Sequence, residues 1–265
     1  HIHRHCDVLI VGAGPAGLAA AATLALTGAR VIIADEQAEF GGSLLHSSEL
    51  IDGENPQLWV AKVVDLLDAA ANVVCLPRAT VNGYHDHNFL TIHERCTDHI
   101  SDQAAPKHAR QRMHRIRAQW VLLATGAHER PLVFGNNDVP GSLLASAVST
   151  YIKRYDVVPG SSLVLMTTND YAYQAAIDWF NAGRQVVAVV DTRANPTGAR
   201  IQQARALGIE IIMGAAVIDV SGRHRVSGVH IAALDARGEK ITGQLRELSC
   251  DTIASSGGWS PAVHL

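Results

Sequence analysis

The sequence predicts an α/β fold made of two halves that share one architecture. Short β-rich apolar runs alternate with helical stretches along the chain. The run Val8 to Val11 leads through Gly12-Ala13-Gly14-Pro15-Ala16-Gly17 into a helix and then a second apolar run. The same strand–helix–strand order returns beyond residue 160, without glycines in its turn. The first half therefore reads as a Rossmann-like dinucleotide-binding domain. The second reads as an inserted Rossmann-like domain whose fingerprint is degenerate.

Taking the elements in order, Val8 to Val11 reads as a buried parallel strand. Pro15 to Thr27 reads as a helix, with Pro in its first turn and Gly28 at its end, and Val31 to Ala34 as the next strand. Pro56 to Ala71 places Trp59, Val63, Leu66, Leu67 and Ala70 on one helical face. Thr80 to Tyr84 and Phe89 to Glu94 read as a hairpin around His85-Asp86-His87-Asn88. Thr97 to Arg110 is polar and reads as a loop; Trp120 to Ala124 reads as a buried strand ending in Thr125-Gly126. In the second half, Leu143 to Tyr155 reads as a helix, followed by the strand Leu163 to Met166, the helix Tyr171 to Asn181 and the strand Val186 to Val190. A helix near Gly198 to Leu207 and strands at Ile209–Ile212, Ala215–Val220, Val226–Leu234, Ile241–Leu248 and Thr252–Ala254 complete it. The domain boundaries follow: 1–130 is the first part of the dinucleotide-binding domain, 131–250 the second nucleotide fold, and 251–265 the start of a return to the first.

Composition narrows the partners. The chain has 265 residues, 48% of them hydrophobic, enough for a packed core. Its net charge is −3 and it has no dense Lys/Arg run, which argues against nucleic acid as a partner. Val8 to Ala29 carries no charge, but its glycines and proline break it into strand, turn and helix, so no membrane span is expected. The four cysteines lie at 6, 75, 96 and 250 with no CxxC spacing. That excludes a thioredoxin-like redox pair and an iron–sulfur set, and fits a reducing cytoplasm. The chain does not begin with Met and stops just past a strand, so both ends read as cut from a longer protein.

The glycine turn carries the chemistry. Gly12 permits a tight turn, Gly14 lets a pyrophosphate approach the backbone, and Gly17 lets the helix pack closely on the strand. The helix N-terminus at Pro15 and Ala16 offers partial positive charge to the phosphates. Asp35 ends the second strand, eighteen residues past Gly17, with Glu36 beside it. A carboxylate there accepts both ribose hydroxyls and repels a 2′-phosphate, favouring NAD or FAD over NADP. Gly42 and Ser43, and Thr125 and Gly126 at the end of a parallel strand, are candidates for the cofactor wall. Thr80 and Val81, on a strand edge, are candidates to meet adenine through backbone groups.

In the second half the corresponding turn reads Thr167-Thr168-Asn169-Asp170-Tyr171-Ala172-Tyr173. Side chains stand where a pyrophosphate would approach, and Asp170 adds negative charge at the helix start. Asp191 still follows the next strand like a ribose acid. The unit reads as a nucleotide fold that has lost its nucleotide, the alternative being a modified site that uses Asn and Thr as donors. Cys75 and Cys250 read as core or near-core thiols, and Cys6, flanked by His3 and His5, as part of a frayed terminus, the alternative being an adventitious metal. His85, His87, His93 and His99 match no zinc spacing, and no metal site is assigned. His128-Glu129-Arg130 reads as a charged loop with a local Glu–Arg pair, the alternative being a segment that reaches a ligand from the Thr125-Gly126 loop. No catalytic residue is assigned.

Together these motifs resemble the two-dinucleotide-binding-domain flavoproteins, and within them the alpha-subunit family of heterotetrameric sarcosine oxidases. The matching strings are DVLIV into GAGPAGLAAA, ADEQAEFGGSLL at 34–45 and LLATGAHERPLVFGNNDVPG at 122–141, then LASAVSTYIKRY at 144–155, TTNDYAY at 167–173 and SGGWSPAVHL at 256–265. They run in the family's order over nearly the whole chain. The resemblance implies NAD at the first fingerprint, with FAD as the alternative there, and a vacant second site. It also implies FAD and FMN elsewhere in a complex with other subunits. In such complexes sarcosine is demethylated to glycine, electrons pass through FMN to oxygen giving hydrogen peroxide, and the one-carbon unit goes to tetrahydrofolate in a further domain of the alpha chain. Opine and hydroxyproline dehydrogenase-like subunits share the early motifs and are an alternative. A stand-alone FAD/NAD(P)-dependent oxidoreductase is a second, and a purely structural assembly module a third.

Overall fold

The computed structural model describes residues 1–100 and 109–265, which form two compact units, His1–Gly126 with Pro261–Leu265, and Ala127–Ser260. Among the described residues no helix is long and apolar enough to cross a membrane.

The first unit is built on a six-stranded sheet in the order β3-β2-β1-β6-β5-β4. Its elements are β1 (Ile2–Val11), α1 (Pro15–Ala25), β2 (Val31–Ala34), α2 (Pro56–Ala69), β3 (Val73–Leu76), β4 (Ala79–His85), β5 (Phe89–Arg95) and β6 (Gln111–Leu123). β1, β2, β3 and β6 run parallel, while β4 and β5 form the antiparallel hairpin. Strand alternation divides the apolar side chains between two cores. Val31 and Ile33 face α1 and α2, where Ile10, Leu18 and Leu67 pack; Ile32 and Ala34 face the other side with Leu9, Leu90 and Ile116. Asn55 caps α2 by accepting the N–H groups of Gln57 and Leu58 on its side chain, and Pro56 fills the first helical position.

Three local expectations change in this unit. The amino terminus is not frayed: Ile2 to Cys6 pairs with His114 to Ala118 of β6, and Cys6 is buried. The mixed run Ile2-His3-Arg4-His5-Cys6 hides this strand, because its pairing partner is more than a hundred residues away. The strand ending at Leu123 starts at Gln111, and its last residues are not buried: Trp120 is 72% exposed. β5 pairs with β6 only as far as Arg117, so past that point β1 is the only strand paired with β6 among the described residues, and the hairpin turn reaches it through Asn88 Nδ2 on the Gln119 carbonyl. Much of the expected loop over 97–110 lies outside the described residues.

The second unit is three-layered. Its central sheet, β11-β10-β9-β15-β8, is wholly parallel. It is formed by β8 (Ser142–Leu144), β9 (Ser162–Thr167), β10 (Gln185–Asp191), β11 (Ile211–Met213) and β15 (Thr252–Ser256). The helices α3 (Ala145–Tyr155), α4 (Tyr173–Asn181) and α5 (Ala199–Ala206) cover one face; an antiparallel sheet of β12 (Ala215–Ser221), β13 (Gly228–Leu234) and β14 (Ile241–Leu248) covers the other. β9 shows why: Leu163 and Leu165 enter the helical core with Trp179 and Tyr173, whereas Val164 and Met166 enter the core beneath β12 and β13. β7 (Ala127–Glu129) and β16 (Trp259–Pro261) form a two-stranded ribbon. The return to the first unit expected from 251 comes later, at Pro261, because β15 is an inner strand between β9 and β8. Its five residues are all buried and could not serve as a linker.

Candidate functional site

The candidate site lies in the first unit, where β1 turns into α1. Gly12 has φ 99°, and a Cβ there would collide with the carbonyl of Ala124, so the turn lies directly against the strand end leading to Thr125. A Cβ on Gly17 would collide with the carbonyl of Gly12, the close helix–strand contact that fixes the turn. Gly14 differs from both: a Cβ there meets nothing within 4 Å, so the space beside its backbone is open. The first bond of α1 runs from the Leu18 N–H to the Gly14 carbonyl at 2.9 Å. The N–H groups of Ala16 and Gly17 precede it and stay available, Pro15 contributes none, and α1 carries no acid in its first turn and no side-chain cap.

Asp35 closes on this turn. Its Oδ2 accepts the Ala13 N–H at 2.7 Å, and its Oδ1 accepts the Gln37 N–H at 2.8 Å. Each carboxylate oxygen retains a second acceptor site, so the residue is still able to receive sugar hydroxyls. Glu36 is exposed, and its carbonyl accepts Arg95 Nη2 at 2.8 Å. The Ala79 N–H donates to the Asp35 carbonyl at 2.8 Å, which seats the start of the edge strand β4, and hence Thr80 and Val81, beside the acid.

The remaining wall candidates meet the same turn. The Gly41 N–H donates to the Ala13 carbonyl at 2.8 Å, and a Cβ on Gly42 would stand 3.0 Å from the Gly14 Cα. Ser43 is exposed beside them. The Ala124 N–H donates to the Val11 carbonyl at 2.8 Å. Thr125 Oγ1 donates to the Ala262 carbonyl at 2.6 Å, and Gly126 takes φ 71° with open space where a Cβ would stand. Thr125 thus spends its hydroxyl on the chain. Sequence reasoning missed the Ala13–Asp35 bond, which no spacing rule announces, and the role of Arg95.

At the corresponding turn of the second unit the polar side chains are engaged with one another. Asp191 is fully buried, and its carboxylate is shared between Tyr173 Oη at 2.8 Å and Arg193, which donates Nε at 3.0 Å and Nη2 at 2.8 Å. Arg193 also reaches Asp170 at 2.7 Å. Burial, and then the bond to Asp191, push the Tyr173 hydroxyl well above the ordinary tyrosine range. Asn169 is spent as well: its Oδ1 accepts the Ala172 N–H and its Nδ2 donates to Ser256 Oγ. The expected Glu129–Arg130 pair does not form. Glu129 is buried and caps α3 by accepting the Ser146 N–H at 2.8 Å, while Arg130 donates to the Gly257 carbonyl. Among the described residues no cluster of His, Cys, Asp and Glu could hold a metal ion.

A strand, an open glycine turn, a helix start and an acid hydrogen-bonded to that turn define a Rossmann-type dinucleotide-binding fold. The chain belongs to the pyridine nucleotide-disulphide oxidoreductase family, whose model matches residues 6–265. It is 43% identical over 268 residues to the sarcosine oxidase subunit alpha of Corynebacterium sp. (strain P-1), covering 100% of this chain and 27% of that protein. The chain thus spans about a quarter of the length of the curated relatives it matches. In fold it is similar to T. acidophilum thioredoxin reductase (TM-score 0.70, 20% identity, 98% of this chain and 79% of that one). It is also similar in fold to L-proline dehydrogenase from P. horikoshii (TM-score 0.66, 21% identity, 98% and 44%).

Proposed function

We propose that the first unit is the dinucleotide-holding part of an amine-oxidising complex of the sarcosine oxidase type, with NAD as the ligand and FAD as the alternative. The observation that carries this is the open mouth at Gly14 beside an acid bound to the neighbouring Ala13 N–H. The pyrophosphate rests on the backbone of Gly12 to Gly17, against the N–H groups of Ala16 and Gly17. Asp35 accepts the adenosine ribose, with Glu36 at the rim. Thr80 and Val81 meet adenine through their backbone, and Gly42, Ser43, Thr125 and Gly126 line the remainder. A dinucleotide of this kind supplies hydride-transfer chemistry when bound. No residue of this chain is assigned a proton-transfer role, and the second unit is read as vacant because Tyr173 and Arg193 already occupy its acid.

The wider reaction is proposed from the likeness to sarcosine oxidase alpha subunits. Partner subunits carry FAD and FMN; sarcosine is converted to glycine with release of hydrogen peroxide, and its one-carbon unit passes to tetrahydrofolate. A cytoplasmic location accords with cysteines that form no disulfide among the described residues. Mass spectrometry of the small molecule released on denaturing the purified protein tests the central claim. NAD is expected and FAD would select the alternative; a preparation holding no ADP-containing molecule, and binding none when offered, overturns it.

A further inference from the structure

A pocket of about 350 Å³ in the first unit is lined by Arg78, Arg95, Arg112, Glu94, Cys96 and His99, among others. Three guanidinium groups meet one carboxylate there. Glu94 is already engaged, its Oε2 lying 2.8 Å from Nε2 of the buried His114 and 3.7 Å from Arg112. Arg95 spends one N–H on the Glu36 carbonyl. Arg78 is held in a left-handed backbone conformation (φ 55°), its N–H on the Gln37 carbonyl at 2.8 Å and its own carbonyl accepting the Arg95 N–H at 3.0 Å. The residue is half-buried, and its guanidinium has no partner among the described residues. The carboxylates nearest these two guanidinium groups are already engaged, Glu94 with His114 and Arg112 and Asp98 with Arg110, so the two like charges repel each other and an anion placed between them relieves that cost. The planar fork of arginine matches the oxygens of a phosphate.

We infer that this pocket is an anion site for a phosphate group, with Arg78 and Arg95 as its binding residues. Only its place beside the ribose end of a dinucleotide, through Ala79 on Asp35 and Arg95 on Glu36, rests on the function proposed above. The phosphate has two possible sources: free phosphate, or a 2′-phosphate carried by the dinucleotide. The carboxylates of Asp35 and Glu36 make free phosphate the expected one.

Isothermal titration of the full chain with inorganic phosphate, with and without NAD⁺, tests the site. Saturable, salt-sensitive binding is expected, weakened at least tenfold in Arg78→Gln and in Arg95→Gln, and weakened less in Arg78→Lys, which keeps the charge but loses the fork. Unchanged thermal midpoints would separate lost binding from lost folding. Equal phosphate affinity with NAD⁺ present marks the free-phosphate source. Displacement of phosphate by NADP⁺, binding tenfold tighter than NAD⁺, marks the ribose source. Absence of saturable binding at millimolar phosphate, or binding that neither glutamine variant alters, overturns the inference. If phosphate binds while no dinucleotide does, the pocket stands and the function proposed above falls.

Discussion

Asp35 Oδ2 and the backbone N–H of Ala13 meet at 2.7 Å across 22 residues of sequence. The bond ties the end of β2 to the glycine turn and holds the acid against it. Asp35→Ala leaves that N–H without its partner and is expected to cost about 1–3 kcal/mol in chemical denaturation. Asp35→Asn keeps an acceptor for Ala13 but loses the charge that would meet ribose hydroxyls. It is expected to retain most stability and lose roughly tenfold or more in dinucleotide affinity, as read by calorimetric titration.

The glycines of the turn separate by role. Gly14 sits at φ −75° with open space at its Cβ position. Gly14→Val is therefore expected to unfold within about 0.5 kcal/mol of the parent while its bound dinucleotide falls several-fold. Gly17→Ala drives a methyl group into the Gly12 carbonyl and is expected to lose about 1–3 kcal/mol of stability. Full cofactor content in purified Gly14→Val would place the ligand elsewhere, or leave the unit as a structural module.

In the second unit the charge balance depends on Arg193. Removing it by Arg193→Met leaves the fully buried Asp191 carboxylate with only the Tyr173 hydroxyl and the backbone N–H of residue 193, and no counter-charge from the arginine side chain, at an expected cost of about 3–5 kcal/mol. Asp170→Asn touches only the partly exposed arm of the network and is expected to cost about 1 kcal/mol or less. Thermal denaturation of the two variants side by side reads the difference.

Asp7 and Arg30 provide a pH marker. Hydrogen bonds from the Arg30 side chain, and then from its backbone N–H, hold the Asp7 carboxyl down at about 2. Because the folded value lies below the unfolded one, this contribution is present above the ordinary value of 3.8 and is lost as pH falls through about 2. An NMR titration of the Asp7 carboxyl should give a midpoint near 2. In Arg30→Gln the midpoint should return toward the ordinary range.

Much of the fold is legible in the chain because its signals are local. Val8 to Val11, the glycines, the helix and the strand at Val31 lie within one short stretch, where periodicity and turn residues suffice. The hairpin of Thr80 to Glu94 is legible for the same reason. The strand Ile2 to Cys6 is not, since its polar residues become strand only by pairing with β6. The burial expected for Trp120 fails because periodicity reports that a face is apolar and is silent on what covers it.

The residues at the candidate site were therefore written in the primary structure: three glycines, a helix start and an acid, each recognisable from its immediate neighbours. Tertiary packing decided how they are used. It hung Asp35 on Ala13, closed Asp191 with Tyr173 and Arg193, and placed Thr252–Ser256 inside the second sheet. Those outcomes depend on strand order and side-chain direction, which contacts between distant segments impose and which no local pattern encodes.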